Sequence, residues 1–232
     1  MPQDKKKIIL GITGSVAAIK GPELAIRLSK ELDAHILILL TNGGQNFWDK
    51  AQSYNLEAWN LFSQLVEPFD PLLNFTQEKS KLQIITAKEE WKGWNQMSDP
   101  VLHIQLRDWA DALIIAPLSA HTLAKISNGM CDETLSCVVR AWDFGWTEGK
   151  MGKPLILAPA MNTGMWDHPL TKQQLNIVQG FWNKKKSQNL IKVVEPQVKT
   201  LACGEVGKGA MASLDEIIDT CKDVLTIEKL IQ

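Results

Sequence analysis

Three stretches of this chain set groups able to move protons beside turn-forming residues. DPVLHIQLRDWAD, residues 99–111, carries His103 four residues before Arg107, on a short helix expected to begin at Pro100. LACGEVGKGAMA, residues 201–212, has Cys203 near its start and spaces Gly204, Gly207 and Gly209 as a loop able to close over a ligand. APAMNTGMW, residues 158–166, places the Asn162 amide, which donates and accepts, just after an apolar strand. An imidazole, a thiol and an amide together can take a proton, deliver one and orient a carboxylate. Each also has a plainer reading: a structural histidine, an incidental thiol in a glycine-rich surface loop, an Asx turn. Met161, Met165 and Trp166 read either as core packing or as the apolar wall of a pocket.

A second set of residues suits an anion. TGSVAAIK sets Thr13, Gly14 and Ser15 at a strand-to-helix turn, where free N–H groups and a helix dipole attract phosphate. The spacing is neither GxGxxG nor the Walker loop, and a tight turn capped by Ser15 explains it equally well. Thr41, Ser119 and Thr122 add hydroxyls at two more strand ends, and the group as a whole suits a mononucleotide phosphate. Lys20 and Arg107 are cations of the right type for a substrate phosphate or carboxylate, or for solvated surface positions.

These residues need a sheet to bring them together. Near-continuous apolar runs at 6–12, 35–41, 82–86, 112–117, 154–159 and 191–196 alternate with helical patterns such as 22–32, 121–127, 132–142 and 171–182. That pattern predicts an α/β, doubly wound, Rossmann-like or flavodoxin-like fold: a parallel sheet with helices on both faces, three layers in all. Ligands of such folds sit beyond the carboxyl ends of the strands, where GITGSVAAIK, TNGG, APLSAHT and APAMN all fall. The stretch 51–81, with Pro68 and Pro71, breaks the alternation and reads as an insertion or long connection; 143–153 reads as a second extended loop. SLDEIIDTCKDVLTIEKL, near the end, reads as a surface helix capped by Ser213.

With 232 residues, a single domain is expected. The balance of 25 Lys+Arg against 26 Asp+Glu leaves a net charge of -1, so nothing in the bulk charge draws the chain to nucleic acid or an anionic membrane. No apolar run approaches the roughly 20 residues of a bilayer span, and MPQDKKKIILGIT lacks a secretory cleavage pattern, so a cytoplasmic protein is expected. Cys131, Cys137, Cys203 and Cys221 form neither a disulfide framework nor a CxxC pair, and no metal is expected.

GSVAAIK, DPVLHIQLRDWAD, APLSAHTLAKI, CD followed by RAWD, APAMNTGMW and LACGEVGKGAMA also occur in a known order. In them the chain resembles the phosphopantothenoylcysteine decarboxylases, within the homo-oligomeric flavin-containing cysteine decarboxylases, from residue 8 to about 212. The resemblance implies bound FMN, with Gly14, Ser15, Val16, Thr41, Gly43, Ser119, Ala120, His121, Thr122 and Ala160 at flavin-binding positions. It implies His103 as the active-site histidine, Asn162 as the amide for the substrate carboxylate, and Cys203 as the proton donor on a closing flap. Met165 would pack on the substrate, with Lys20 and Arg107 near its charged groups.

The implied reaction converts 4'-phosphopantothenoylcysteine to 4'-phosphopantetheine in coenzyme A biosynthesis. Oxidation of CH2–SH to a thioaldehyde creates an electron sink, CO2 leaves, the enethiolate is protonated on carbon, and hydride returns. A homotrimer is implied, with His supplied by one chain and Asn and Cys by its neighbour. Two residues depart from the family pattern: His121 stands where Asn is usual, and Asp108 where a second basic residue is common. Some relatives instead regulate a protein phosphatase, often with long acidic tails or without the His, Asn or Cys; this chain has all three and no such tail. A peptidyl-cysteine decarboxylase or flavin prenyltransferase would share the fold, and the ACGEVGKGAMA stretch beside PAMNTGMW favours the coenzyme A substrate.

Overall fold

The isoleucine- and leucine-rich runs lose water from both sides at once, because successive strand residues point to opposite faces of a sheet that carries helices on each. The computed structural model describes residues 5–68, 81–90, 92, 94–185, 188–200 and 206–231. Its first half runs β1 (Lys7–Ile12), α1 (Gly21–Glu31), β2 (His35–Leu40), α2 (Asn42–Trp48), α3 (Ala51–Tyr54), α4 (Leu56–Leu65), β3 (Val66–Pro68), β4 (Leu82–Thr86) and α5 (Leu102–Trp109). There follow β5 (Ala112–Leu118), α6 (Ala120–Ser127), α7 (Thr134–Ala141), β6 (Leu155–Pro159), α8 (Thr163–Trp166) and α9 (Pro169–Gln179). The last elements are β7 (Ile191–Val193), β8 (Gln197–Thr200), β9 (Val206–Ala210) and α10 (Leu214–Ile231).

Seven strands form one parallel sheet in the order β3-β4-β2-β1-β5-β6-β7, and β8 and β9 form a separate antiparallel pair. The expected doubly wound α/β architecture is therefore present, with three layers. On one face Ile8, Leu10, Ile36, Ile38 and Ile114 pack with Leu24 and Leu28 of α1 and Ile217 and Cys221 of α10. The intervening residues Ile9, Leu37, Leu39, Leu113 and Ile115 face the other way, against Leu106 of α5, Leu123 of α6, Val138 of α7 and Val178 of α9. Because β1 has β2 on one side and β5 on the other, the chain winds in opposite directions from β1, and a crevice opens beyond the carboxyl ends of β1 and β5.

Several elements differ from the expectation. The stretch read as an insertion or long connection carries α3, α4 and β3 as far as Pro68, and 69–80 lie outside the described residues. The extended loop 143–153 is tied down at two points: Trp146 Nε1 donates to the Phe181 carbonyl at 2.7 Å, and Lys153 Nζ donates to the carbonyls of Arg107 and Ala110 at 2.7 and 2.6 Å. The helix expected from Pro100 begins at Leu102. Ser213 caps α10 as expected, its Oγ accepting from Glu216 N while the Glu216 carboxylate accepts from Ser213 N.

Leu113, the second residue of β5, is fully buried. Leu113→Ala is expected to cost about 2–5 kcal/mol of stability, read as a lower urea midpoint.

Candidate active site

At the strand ends, hydroxyl groups do what backbone pairing no longer can. Thr13, 0% exposed, donates to the Pro117 carbonyl at 2.7 Å and accepts from Ser119 N at 2.8 Å, joining the ends of β1 and β5. Thr41 donates to the Ile12 carbonyl at 3.2 Å and accepts from Gly44 N at 3.0 Å, joining β2 to β1 and capping α2. Ser119 caps α6 by accepting from Thr122 N at 3.2 Å. Ser15 accepts from Ala17 N at 3.4 Å, but the segment it caps, Val16–Lys20, is a 3-10 turn. The α-helix dipole expected at TGS is therefore displaced to Gly21, a correction that leaves local N–H groups rather than a long helix facing the crevice.

Glycines let two of these turns touch. A Cβ on Gly43 would lie 3.0 Å from the Cα of Gly14, so the turns after β1 and β2 meet backbone to backbone.

Two adjoining cavities, of about 540 and 460 Å³, occupy the crevice and share Gly14, Phe47, Ser119 and His121. Ser15, Val16 and Lys20 from the β1 side line the first. Ala120 from the β5 side, and Ala160, Asn162 and Met165 from the β6 side, complete its expected residues. Thr41, Gly43 and Thr122 line the second. Asn162 Oδ1 accepts from Gly164 N at 2.8 Å, so the amide caps α8 and the Asx reading holds together with its place in the cavity wall. Met161 and Met165 are cavity wall; Trp166 packs against the core and receives Lys208 Nζ 5.4 Å from its ring centroid.

The charges sort into two kinds. No carboxylate lines the first cavity among the described residues, whereas Lys20 and Lys199 both do. Burial, together with the neighbouring Lys199 charge, pushes the Lys20 ammonium below the usual lysine range, against a weaker pull from Glu23. In the second cavity Lys125 meets Asp132 at 2.8 Å and Glu133 at 3.2 Å. Burial opposes its charge, but those hydrogen bonds win and hold the ammonium above the usual range.

His103 and Arg107 line neither cavity. His103 Nδ1 lies 2.5 Å from Glu90 Oε1, and Arg107 Nε donates to Asp108 at 2.9 Å. Cys203 lies outside the described residues. Gly204 lies outside them as well; on either side of 201–205 run β8 and β9, so Gly207 and Gly209 sit in a strand, which corrects the loop reading for those two glycines. They are there for contact: Met161 N donates to the Gly209 carbonyl at 3.0 Å, and a Cβ on Gly209 would lie 2.3 Å from the Met161 carbonyl. Lys199 and Glu90 belong to none of the motifs singled out from the sequence. Glu90, His103 and Cys137 offer ligand atoms within 4.8 Å of one another, but Nδ1 is engaged by the carboxylate and burial pushes the Cys137 thiol up to about 11.

The flavoprotein family matches residues 1–226. The chain belongs to the flavoprotein family. This flavoprotein is 34% identical over 235 aligned residues to the phosphopantothenoylcysteine decarboxylase of Mus musculus, covering 100% of this chain and 94% of the relative. Among solved structures, a Cys-to-Ser mutant of PPC decarboxylase complexed with pantothenoylaminoethenethiol superposes with a TM-score of 0.74 at 36% identity, covering 96% of this chain and 100% of that one. The FMN-binding protein AtHal3 superposes with a TM-score of 0.70 at 37% identity, covering 97% and 98%.

Thr13→Val removes the donor to Pro117 and leaves the Ser119 N–H buried without its acceptor. A loss of about 1–3 kcal/mol is expected in chemical denaturation of the flavoprotein.

Proposed function

We propose that this flavoprotein is an FMN-dependent phosphopantothenoylcysteine decarboxylase, converting 4'-phosphopantothenoylcysteine to 4'-phosphopantetheine in coenzyme A biosynthesis. The observation that carries the reading is the first cavity: Asn162, Met165, Lys20 and Lys199 surround it together with the strand-end residues expected to bind flavin, and no carboxylate faces it among the described residues. The donor chemistry fits FMN, and the glycine contact at Gly14 and Gly43 leaves backbone rather than side chains beside the second cavity. Gly14, Ser15, Val16, Thr41, Gly43, Ser119, His121 and Thr122 would hold its polar parts. Ala120 and Ala160 offer apolar contact. Bound FMN would supply reversible hydride acceptance, and the substrate oxidised in that way would itself take up the electron pair left when CO2 departs.

The chain's residues perform the proton chemistry and the positioning. The bond from Gly164 N–H fixes the orientation of the Asn162 amide, whose NH2 group has the chemistry to donate to the substrate carboxylate. His103 takes the thiol proton, and Cys203 delivers a proton to carbon after CO2 has left. In the sequence Cys203 falls between Lys199 and Gly209, both of which line the cavity, and this supports its assignment. The ethenethiol of the ligand bound to the Cys-to-Ser relative is the kind of compound left when CO2 has gone and carbon has not been protonated. Lys20 and Lys199 attract the substrate's anionic groups.

His103 and Arg107 reach this cavity from a neighbouring copy in a homotrimer. Their absence from both cavity walls of a single chain, and their i, i+4 spacing on α5, support this arrangement. We assign the protein to the cytoplasm, in keeping with free thiols at Cys131, Cys137 and Cys221. Among the described residues no helix is long and apolar enough to cross a membrane.

Incubated with 4'-phosphopantothenoylcysteine, the FMN-loaded chain is expected to yield 4'-phosphopantetheine by mass spectrometry, and Cys203→Ser an enethiol or oxidised product. No loss of CO2 would overturn the reading and bring a phosphatase-binding role forward. Lys20→Met is expected to raise KM about tenfold with kcat within about twofold. Mixing inactive His103→Asn and Asn162→Asp chains before assembly is expected to recover part of the activity, and a failure to recover any would count against sites shared between copies.

A further inference from the structure

We infer that Glu90 is a positioning residue for His103, fixing its tautomer so that Nε2 is the nitrogen that meets substrate. The inference rests on the proposed role of His103 in the decarboxylation.

Glu90 is only 6% exposed, an uncommon place for a carboxyl group. Its backbone is set by the turn before it: Glu89 accepts from the backbone N–H and hydroxyl of Thr86 at the end of β4, and Glu90 follows directly with αR dihedrals. The side chain thus leaves the sheet from a braced position and crosses to α5. One oxygen lies 2.5 Å from His103 Nδ1; the other has no hydrogen-bond partner among the described residues. A buried carboxylate with a single contact is costly unless that contact is strong, so the His103 ring is the partner on which its burial depends.

The chemistry of the pair settles the tautomer. An ionised carboxylate only accepts, so the proton between the two must sit on Nδ1, and the lone pair of a neutral imidazole is then on Nε2. A base that takes a thiol proton needs that lone pair in a constant place, and the positive charge it acquires is stabilised by the carboxylate behind it. Cys137, the third member of the cluster, does not compete: burial, with the Glu90 charge adding to it, pushes its thiol up to about 11 and keeps it neutral, and it donates to the Cys131 carbonyl at 3.4 Å. The geometry is that of an orienting acid, a base and an open nitrogen, with the acid on one element and the base on another.

The test uses the FMN-loaded full chain labelled with 15N in its four histidine rings, with the His103 signals assigned by their loss in His103→Asn. At pH 8 the wild-type spectrum is expected to show a protonated Nδ1 and a bare Nε2 on His103. Glu90→Gln, whose amide oxygen still accepts, is expected to retain that pattern, and Glu90→Ala to mix the two tautomers. In turnover, Glu90→Ala is expected to lower kcat on the order of 10²-fold with KM within about twofold, and Glu90→Gln to recover about tenfold of that loss. Flavin absorbance and melting midpoints identify variants that have merely unfolded, and the Gln variant keeps the test open if Ala does not fold. An unchanged tautomer and kcat within twofold in Glu90→Ala would overturn the inference, as would equal impairment by Ala and Gln. So would a metal-type ring-nitrogen signal abolished by EDTA, which would reassign Glu90, His103 and Cys137 to an ion. If the wild type does not turn over, the proposed reaction fails, while the tautomer spectra still decide whether Glu90 orients His103.

Discussion

The buried hydroxyl of Thr13 holds together the two strands between which the site opens. At a point where the order of strands reverses across a parallel sheet, the loops leaving adjacent strands diverge, and their backbone groups lose their ladder partners. Thr13 replaces those partners by donating to the Pro117 carbonyl and accepting from Ser119 N. Everything on either side follows from that bond pair. Gly14 and Ser15 turn away from β1 in one direction, Ser119 starts α6 in the other, and both cavities have Gly14 and Ser119 in their walls.

The two cavities differ in how their cations are answered. Lys125 is held between Asp132 and Glu133, and its charge is already matched by the protein. Lys20 and Lys199 face a wall without carboxylates among the described residues, and burial together with the Lys199 charge makes the charge of Lys20 harder to keep. An anion entering the first cavity relieves that repulsion, whereas one approaching Lys125 must compete with two resident carboxylates. Selectivity for where an anionic group settles is thus written into which lysine faces a carboxylate in its own cavity wall among the described residues, rather than into the number of lysines.

β1, β2, β5 and β6 were legible because apolar runs of five or more residues, buried on both faces, leave an unmistakable pattern; Leu82–Thr86 is read to the residue, and of the run 191–196 only Ile191–Val193 is strand. β3 and β8 were not, since three or four residues with charged members carry no periodicity. The glycines of β9 misled for a physical reason: glycine spacing reports that something comes close, and here it is the Met161 carbonyl and the Thr163 side chain rather than a bending loop. The strand-end residues of the site were legible through the order of the sheet, which brings Gly14, Thr41, Ser119 and Asn162 to one edge. Glu90 and Lys199 were not, because whether a charged residue is solvated or faces a site is decided by its tertiary neighbours alone.

Both margins of the seven-stranded sheet are short. β3 is three residues long and ends in Pro68, which has no N–H, and β7 is also three residues long. A long open margin would offer a row of unpaired N–H and C=O groups to any passing strand, and β-sheets in that condition grow by addition. Here the longer strands are all interior, and among the described residues each margin presents few groups to template another strand. Copies of this chain that crowd together during synthesis are thereby steered away from fibre-like stacking, and whatever association they undergo must use helices, loops and side chains, surfaces on which contact can be finite and closed.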